Sequence, residues 1–186
     1  MMKDQKGQLY IISAASGAGK TTIVKELLAR IPNLRVSVSH TTRKPRSSEV
    51  NGKDYFFVDT EEFESMIEQG KFLEYARCHG NLYGTSNDSV LALQAHGHDV
   101  ILEIDWQGAQ SIKKLFPSSI SIFIMPPNLD ILRERLVQRN QDSMEVIESR
   151  MRSAEEEISH ASEFDYVTIN DKLDNTVEQM IKIINN

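Results

Sequence analysis

The chain lacks several things, and each absence excludes a class of protein. It has a single cysteine, Cys78, in 186 residues. No disulfide can form within the chain, and with no activating partner nearby in sequence the thiol is read as a packing residue rather than a nucleophile. It lacks an excess of positive charge: 21 Lys and Arg face 27 Asp and Glu, a formal charge of −6. Nonspecific nucleic-acid binding, which needs a basic surface to neutralise phosphates, is therefore not expected. No apolar run approaches the roughly 20 residues of a membrane span, and the opening "MMKDQKGQ" is too polar for a signal peptide, so a cytoplasmic location is expected. Internal repeats and low-complexity tracts are absent as well. The length suits one domain with embellishments.

What is present is an alternation of apolar runs and helical patterns. Strands are expected at Leu9–Ile12, Val36–Val38, Val100–Ile104, Ile120–Ile124 and Tyr166–Ile169, with helices between most of them. That rhythm predicts an α/β fold, a parallel sheet with helices on both faces. Between Ser39 and His98 the rhythm breaks. "NGKD" is a turn, "YFFV" and "FLEYARC" read as short strands, and "TEEFESMIEQG" as a small helix opened by Thr60 and closed by Gly70. This stretch is expected to be an insertion with its own small sheet. Near residue 139 an Arg-Asn-Gln-Asp break interrupts two helical segments and reads as a lid. The final "TVEQMIKIINN" is amphipathic and is expected to pack on the sheet.

The strongest chemical signal lies at the first strand-to-helix turn, "LYIISAASGAGKTTIVKELL". In the pattern G-x-x-x-x-G-K-S/T, small residues let successive backbone N–H groups converge on phosphate oxygens at a helix N-terminus. The lysine reaches the β/γ-phosphates and the hydroxyl binds Mg²⁺. Here Ala14 takes the first glycine position, and Gly19, Lys20 and Thr21 complete the rest. Residues Ala15, Ser16, Gly17, Ala18, Gly19, Lys20, Thr21 and Thr22 are the candidate ATP phosphate site, with Thr21 the candidate Mg²⁺ ligand.

A second constellation, "SVSHTTRKPRSSEVNGKDYFFV", sets Arg43, Lys44 and Arg46 in a proline-containing loop. Alone it could be a solvated face; beside a triphosphate cradle, its arginines suit a second phosphate, gripped bidentately. Two phosphate sites on one small core imply transfer of a phosphoryl group between them.

At this point the chain resembles the guanylate kinases. The markers are "SGAGKTT", "SVSHTTRKPRSSEVNGKDYFFV", "FLEYARCHGNLYGTS", "VILEIDWQGA" and "VTIND". The resemblance implies the P-loop nucleoside monophosphate kinase fold: a parallel-sheet core (1–38, 99–134, 164–186), a small mixed β GMP-binding insertion (39–98) and a helical lid (135–163). It implies an ATP:GMP phosphotransferase that gives ADP and GDP and also takes dGMP. The acceptor phosphate would be held by Arg43, Arg46, Tyr55 and Tyr83, and guanine read by Ser39, Glu74 and Thr85, with Asp105 completing the site. Arg135, Arg139 and Arg150 would be the lid arginines and Asn170 would lie against adenine. Lys20, Arg43 and these three arginines would carry the catalysis by charge, with no general base.

A carboxylate at position 74 suits guanine because the base presents two neighbouring donors, N1–H and the exocyclic amine, whereas adenine turns an acceptor toward it. His40, His79, His96, His98 and His160 are given no role, and "HGH" at 96 to 98 reads as a helix-ending turn. Trp106 is expected to pack beside the site. A catalytically dead binding module of the same fold, and a related kinase of another nucleotide or sugar phosphate, are the competing readings. The lid departs from the resemblance: Gln138-Arg139-Asn140 stands where related enzymes carry Gly-Arg-Gly, which predicts stiffer closure. Oligomeric state and the preference between GMP and dGMP are left open by the sequence.

Overall fold

The computed structural model describes residues 6–78, 80–138 and 143–186. Its core is a five-stranded, wholly parallel sheet built from β1 (Leu9–Ala14), β2 (Leu34–Val36), β7 (Asp99–Glu103), β8 (Ile120–Met125) and β9 (Tyr166–Ile169), in the order β2-β7-β1-β8-β9. The central strands are continuously apolar because both faces are covered. From β1, Tyr10 and Ile12 enter one cluster and Leu9 and Ile11 the other, as a two-residue side-chain period requires.

The first face is covered by α1 (Lys20–Arg30), through Ile23, Val24 and Leu27, and by α7 (Leu173–Ile184), through Val177, Met180 and Ile184. The same cluster takes Leu132 and Leu136 of α5 (Leu129–Gln138), with Ile147 and Met151 of α6 (Met144–Ser159). The second face packs on α3 (Asn87–Ala95) through Val90 and on α4 (Trp106–Leu115) through Ala109 and Ile112. The parallel sheet with helices on both faces is thus as expected.

The insertion carries the expected mixed sheet, in the order β4-β3-β6-β5, from β3 (His40–Thr41), β4 (Phe56–Phe57), β5 (Phe72–Cys78) and β6 (Asn81–Ser86). β3 and β4 are parallel; the β3–β6 and β5–β6 pairs are antiparallel. Phe63 of α2 (Thr60–Glu68) is fully buried there and stacks on Phe72 at 4.5 Å.

Two local expectations need correction. β2 lies two residues earlier than Val36–Val38: Ser37 still donates to the Ile101 carbonyl at 2.9 Å, but beyond it the chain turns into the insertion. Helix α2 is capped by Asp59 rather than opened by Thr60, since the Asp59 carboxylate accepts the Glu62 N–H at 2.8 Å and Thr60 is the first helical residue. The Arg-Asn-Gln-Asp break, with Arg139 and Asn140, lies outside the described residues, as does His79. No helix among the described residues is long and apolar enough to cross a membrane.

Candidate active site

The glycine-rich turn runs from the end of β1 into α1. Gly19, the N-cap of α1, has φ 99°, a left-handed conformation in which a side chain is strained. A Cβ there would also stand 2.6 Å from the Asn170 side-chain nitrogen. Asn170, buried just past the end of β9, donates to the Ala18 carbonyl at 2.7 Å, so its amide braces the loop. Its own carbonyl accepts from Arg135 at 3.0 Å. Arg135, Gln138, Asn170 and Asp171 line a cavity of about 370 Å³ that opens onto Gly17, Gly19 and Thr22. Arg150 of α6 donates to the Ser16 hydroxyl at 3.1 Å. Thr21 and Thr22 are exposed in the first turn of α1, whose leading N–H groups have no partner within the helix.

On the insertion, pairing brings the base-reading candidates into one row. Glu74 of β5 is in register with Thr85 of β6, and Ser39, one residue ahead of β3, continues the β3–β6 register toward it. All three are buried. Thr85 donates its hydroxyl to Glu74 Oε1 at 2.5 Å, leaving the other carboxylate oxygen toward α4. Burial pushes the Glu74 carboxyl up to about 7; the Thr85 hydrogen bond and Lys20 oppose this, and Asp105 adds to it. Asp105 caps α4, accepting the Gly108 N–H at 2.8 Å.

The phosphate-gripping candidates are organised by a residue the sequence did not single out. Both carboxylate oxygens of Glu49 accept from Arg43, at 2.8 and 3.0 Å, and one of them accepts the Arg46 backbone N–H at 2.7 Å. Burial works against both charges, but the pairing outweighs it: Glu49 is held below the usual carboxylate value and Arg43 above the usual guanidinium value. Arg43 also lies 5.4 Å from the centre of the Tyr55 ring, which meets Tyr83 edge-on at 6.0 Å. Burial pushes the Tyr55 hydroxyl up to about 12, keeping it a donor across the working range. Arg46 stays largely exposed, its guanidinium 3.8 Å from Glu49.

Two further features escaped sequence reading. Glu103 ends β7, and burial raises its carboxyl against the pull of Lys20 and Lys25. It is two residues before Asp105, and the strand's period of two places both on one side, a spacing that could have marked it. Gly108 lets the insertion approach the core, because a Cβ there would sit 2.7 Å from Glu74 Oε2.

Lys20 is electrostatically felt by Glu74 on the insertion, by Glu103 on the core sheet and by Glu157 on α6. The glycine-rich turn and the Ser39, Glu74 and Thr85 row therefore lie within electrostatic reach of each other. The sequence model of the guanylate kinases matches residues 6–186. The chain belongs to the guanylate kinase family.

Relatives agree along nearly the whole length. A guanylate kinase of Neisseria meningitidis serogroup A is 54% identical over 181 residues, covering 97% of this chain and 88% of the relative. One from Coxiella burnetii is 49% identical over 179 residues, covering 96% and 87%. The crystal structure of guanylate kinase from Anaplasma phagocytophilum superposes with a TM-score of 0.82 at 35% identity, covering 97% of this chain and 86% of that one. Two of the histidines given no role have structural partners. His160 stacks on Trp106 with ring centroids 3.5 Å apart and pairs with Glu163, while His98 meets Asn33 at 3.0 Å.

Proposed function

We infer that this member of the guanylate kinase family transfers the γ-phosphoryl group of ATP to GMP, giving ADP and GDP, by holding the two nucleotides in the cleft between core and insertion. The observation that supports this reading most is a guanine-compatible carboxylate, Glu74 bonded to Thr85, within electrostatic reach of the lysine of the phosphate loop. In this reading the N–H groups of residues 17–22 cradle the ATP phosphates, and Lys20 stabilises charge on the β/γ-phosphates. Arg135 borders the donor cavity, Arg150 and Arg139 add charge from the lid, and Asn170 braces the loop beneath the adenine. Arg43, Arg46, Tyr55 and Tyr83 bind the GMP phosphate; Ser39, Glu74 and Thr85 read guanine, with Asp105 completing the site.

Mg²⁺ fits the residues present. The exposed Thr21 hydroxyl, an oxygen donor of the kind this ion takes, would hold it together with ATP phosphates. When bound, Mg²⁺ would neutralise negative charge on the donor phosphates. The chain itself aligns the acceptor phosphate with the γ-phosphorus and excludes water, so that GMP and not water receives the group. No residue is needed to take a proton from the acceptor, because a phosphate oxygen is already anionic. We also propose that dGMP is accepted, and that the enzyme works in the cytoplasm.

The test is ADP release in a coupled assay with GMP, dGMP, AMP, UMP, CMP and dTMP. Turnover with GMP and dGMP alone is expected, and activity with none of the six overturns the reading.

A further inference from the structure

Helix α6 grips the phosphate loop with two side chains at once. Glu157 Oε2 accepts the Ser16 backbone N–H at 2.6 Å, and Arg150 Nε donates to the Ser16 hydroxyl at 3.1 Å. The two residues are seven apart, hence about two turns along one face of the helix. The neighbouring face, Ile147, Met151 and Ala154, is buried in the core, so the helix presents this pair from a fixed position.

Ser16 stands immediately before the amides that converge on phosphate, and a half-buried N–H at such a place needs an acceptor. The acceptor comes from a helix 141 residues further along the chain rather than from the loop's own turn. The loop's other ties come from its own turn and from elsewhere: the Ala18 N–H bonds the Ala15 carbonyl at 2.9 Å, and Asn170 holds the Ala18 carbonyl. The Glu157 contact thus sets the orientation of the first peptide plane of the cradle. Facing the carboxyl are Lys20 of α1, Arg150 of its own helix, Asp105 ahead of α4 and the Cys78 thiol at the end of β5. It stands beside the glycine-rich turn, through its bond to Ser16.

We propose that Glu157 is a positioning residue of the donor site: through the Ser16 amide it holds the phosphate loop in the shape that receives the triphosphate, and it ties that shape to the placement of the lid helix. The inference rests on the assignment of residues 15–22 to the ATP phosphates. It goes further in making a residue that touches no substrate a determinant of donor affinity. The acceptor oxygen is what matters: Glu157→Gln keeps a carbonyl for the Ser16 N–H, whereas Glu157→Ala leaves the N–H unpaired and the loop free to sample other shapes.

The experiment is steady-state kinetics on the full chain, with ATP varied at saturating GMP and GMP varied at saturating ATP, for wild type, Glu157→Ala, Glu157→Gln and Lys20→Ala. Glu157→Ala is expected to raise KM for ATP at least fivefold while KM for GMP stays within twofold. Glu157→Gln should bring KM for ATP back to within threefold of wild type. A smaller rise in Glu157→Ala, or an equal rise for both nucleotides, overturns the proposal. Should Glu157→Ala fail to fold, Glu157→Gln decides: KM for ATP within threefold supports the acceptor role, and a larger rise for ATP overturns it. Lys20→Ala separates the two levels. If it retains wild-type kcat, the phosphate-loop assignment itself falls; if it is inactive while Glu157→Ala keeps normal ATP kinetics, only the present inference falls.

Discussion

Glu74 illustrates how a single side chain carries selectivity. Thr85 occupies one of its oxygens and Gly108 clears space by the other, leaving a carboxylate that can meet two donors on guanine. Glu74→Gln removes the charge and offers one acceptor, a loss of about 1.5 to 3 kcal/mol for charged hydrogen bonds. KM for GMP should then rise roughly 10- to 100-fold, checked by steady-state kinetics at saturating ATP. Because burial lifts this carboxyl to about 7, its ionised fraction grows through neutral pH. The kcat/KM for GMP should therefore climb as pH rises through about 7 in wild type and climb much less in Glu74→Gln. Lys20→Ala should lower kcat by at least about 100-fold while the chain still folds, as circular dichroism would check, since the side chain supports transition-state charge and lies outside the apolar clusters. Lys20, Arg43 and Glu74 were legible because their motifs carry their own chemistry. Glu49 was not: a lone glutamate between Ser48 and Val50 shows its use only once the loop folds it onto Arg43.

At the scale of elements, caps and strand ends set the cleft. Asp105 is the cap of α4 and, on the proposed function, a wall of the acceptor site. Asp105→Asn should keep the cap and hold the melting temperature near wild type while weakening GMP binding. Asp105→Ala should lose both, costing about 1 kcal/mol of stability, or roughly 2 to 4 °C by differential scanning calorimetry. The β-strand runs were readable from apolar continuity, because a strand covered on both faces has no polar side to show. The edge strand β2 was placed two residues late, since its boundary depends on where Ser37 stops pairing with Ile101 and not on composition. The pairing that sets Ser39, Thr85 and Glu74 in a row is likewise a matter of register.

Across the whole molecule, function comes at a cost to folding, because three acidic side chains are enclosed around one lysine. Burial raises the carboxyls of Glu74, Glu103 and Glu157, the first and last to about 7. A carboxyl raised in the folded state contributes stability that is complete below the unfolded value of about 4.3 and is lost as pH climbs through the folded value. The nucleotide-free protein should therefore melt lower at pH 8 than at pH 5.5, by about 5 °C. The double variant Glu74→Gln, Glu157→Gln should show a markedly smaller difference in the same calorimetric scan. The carboxyls held low, Glu49 and Asp165 among them, act below this window and do not offset the trend. The sequence alone determined the α/β class and the family, because the strand runs and the motifs are written in contiguous residues whose spacing has a local physical consequence. Only the tertiary structure decided that Glu49 orders the acceptor arginines, that Gly108 admits Glu74, and that Glu157 of the lid helix holds Ser16. These contacts join residues far apart in the chain, and their strength comes from a shared, partly desolvated cleft that exists only after folding.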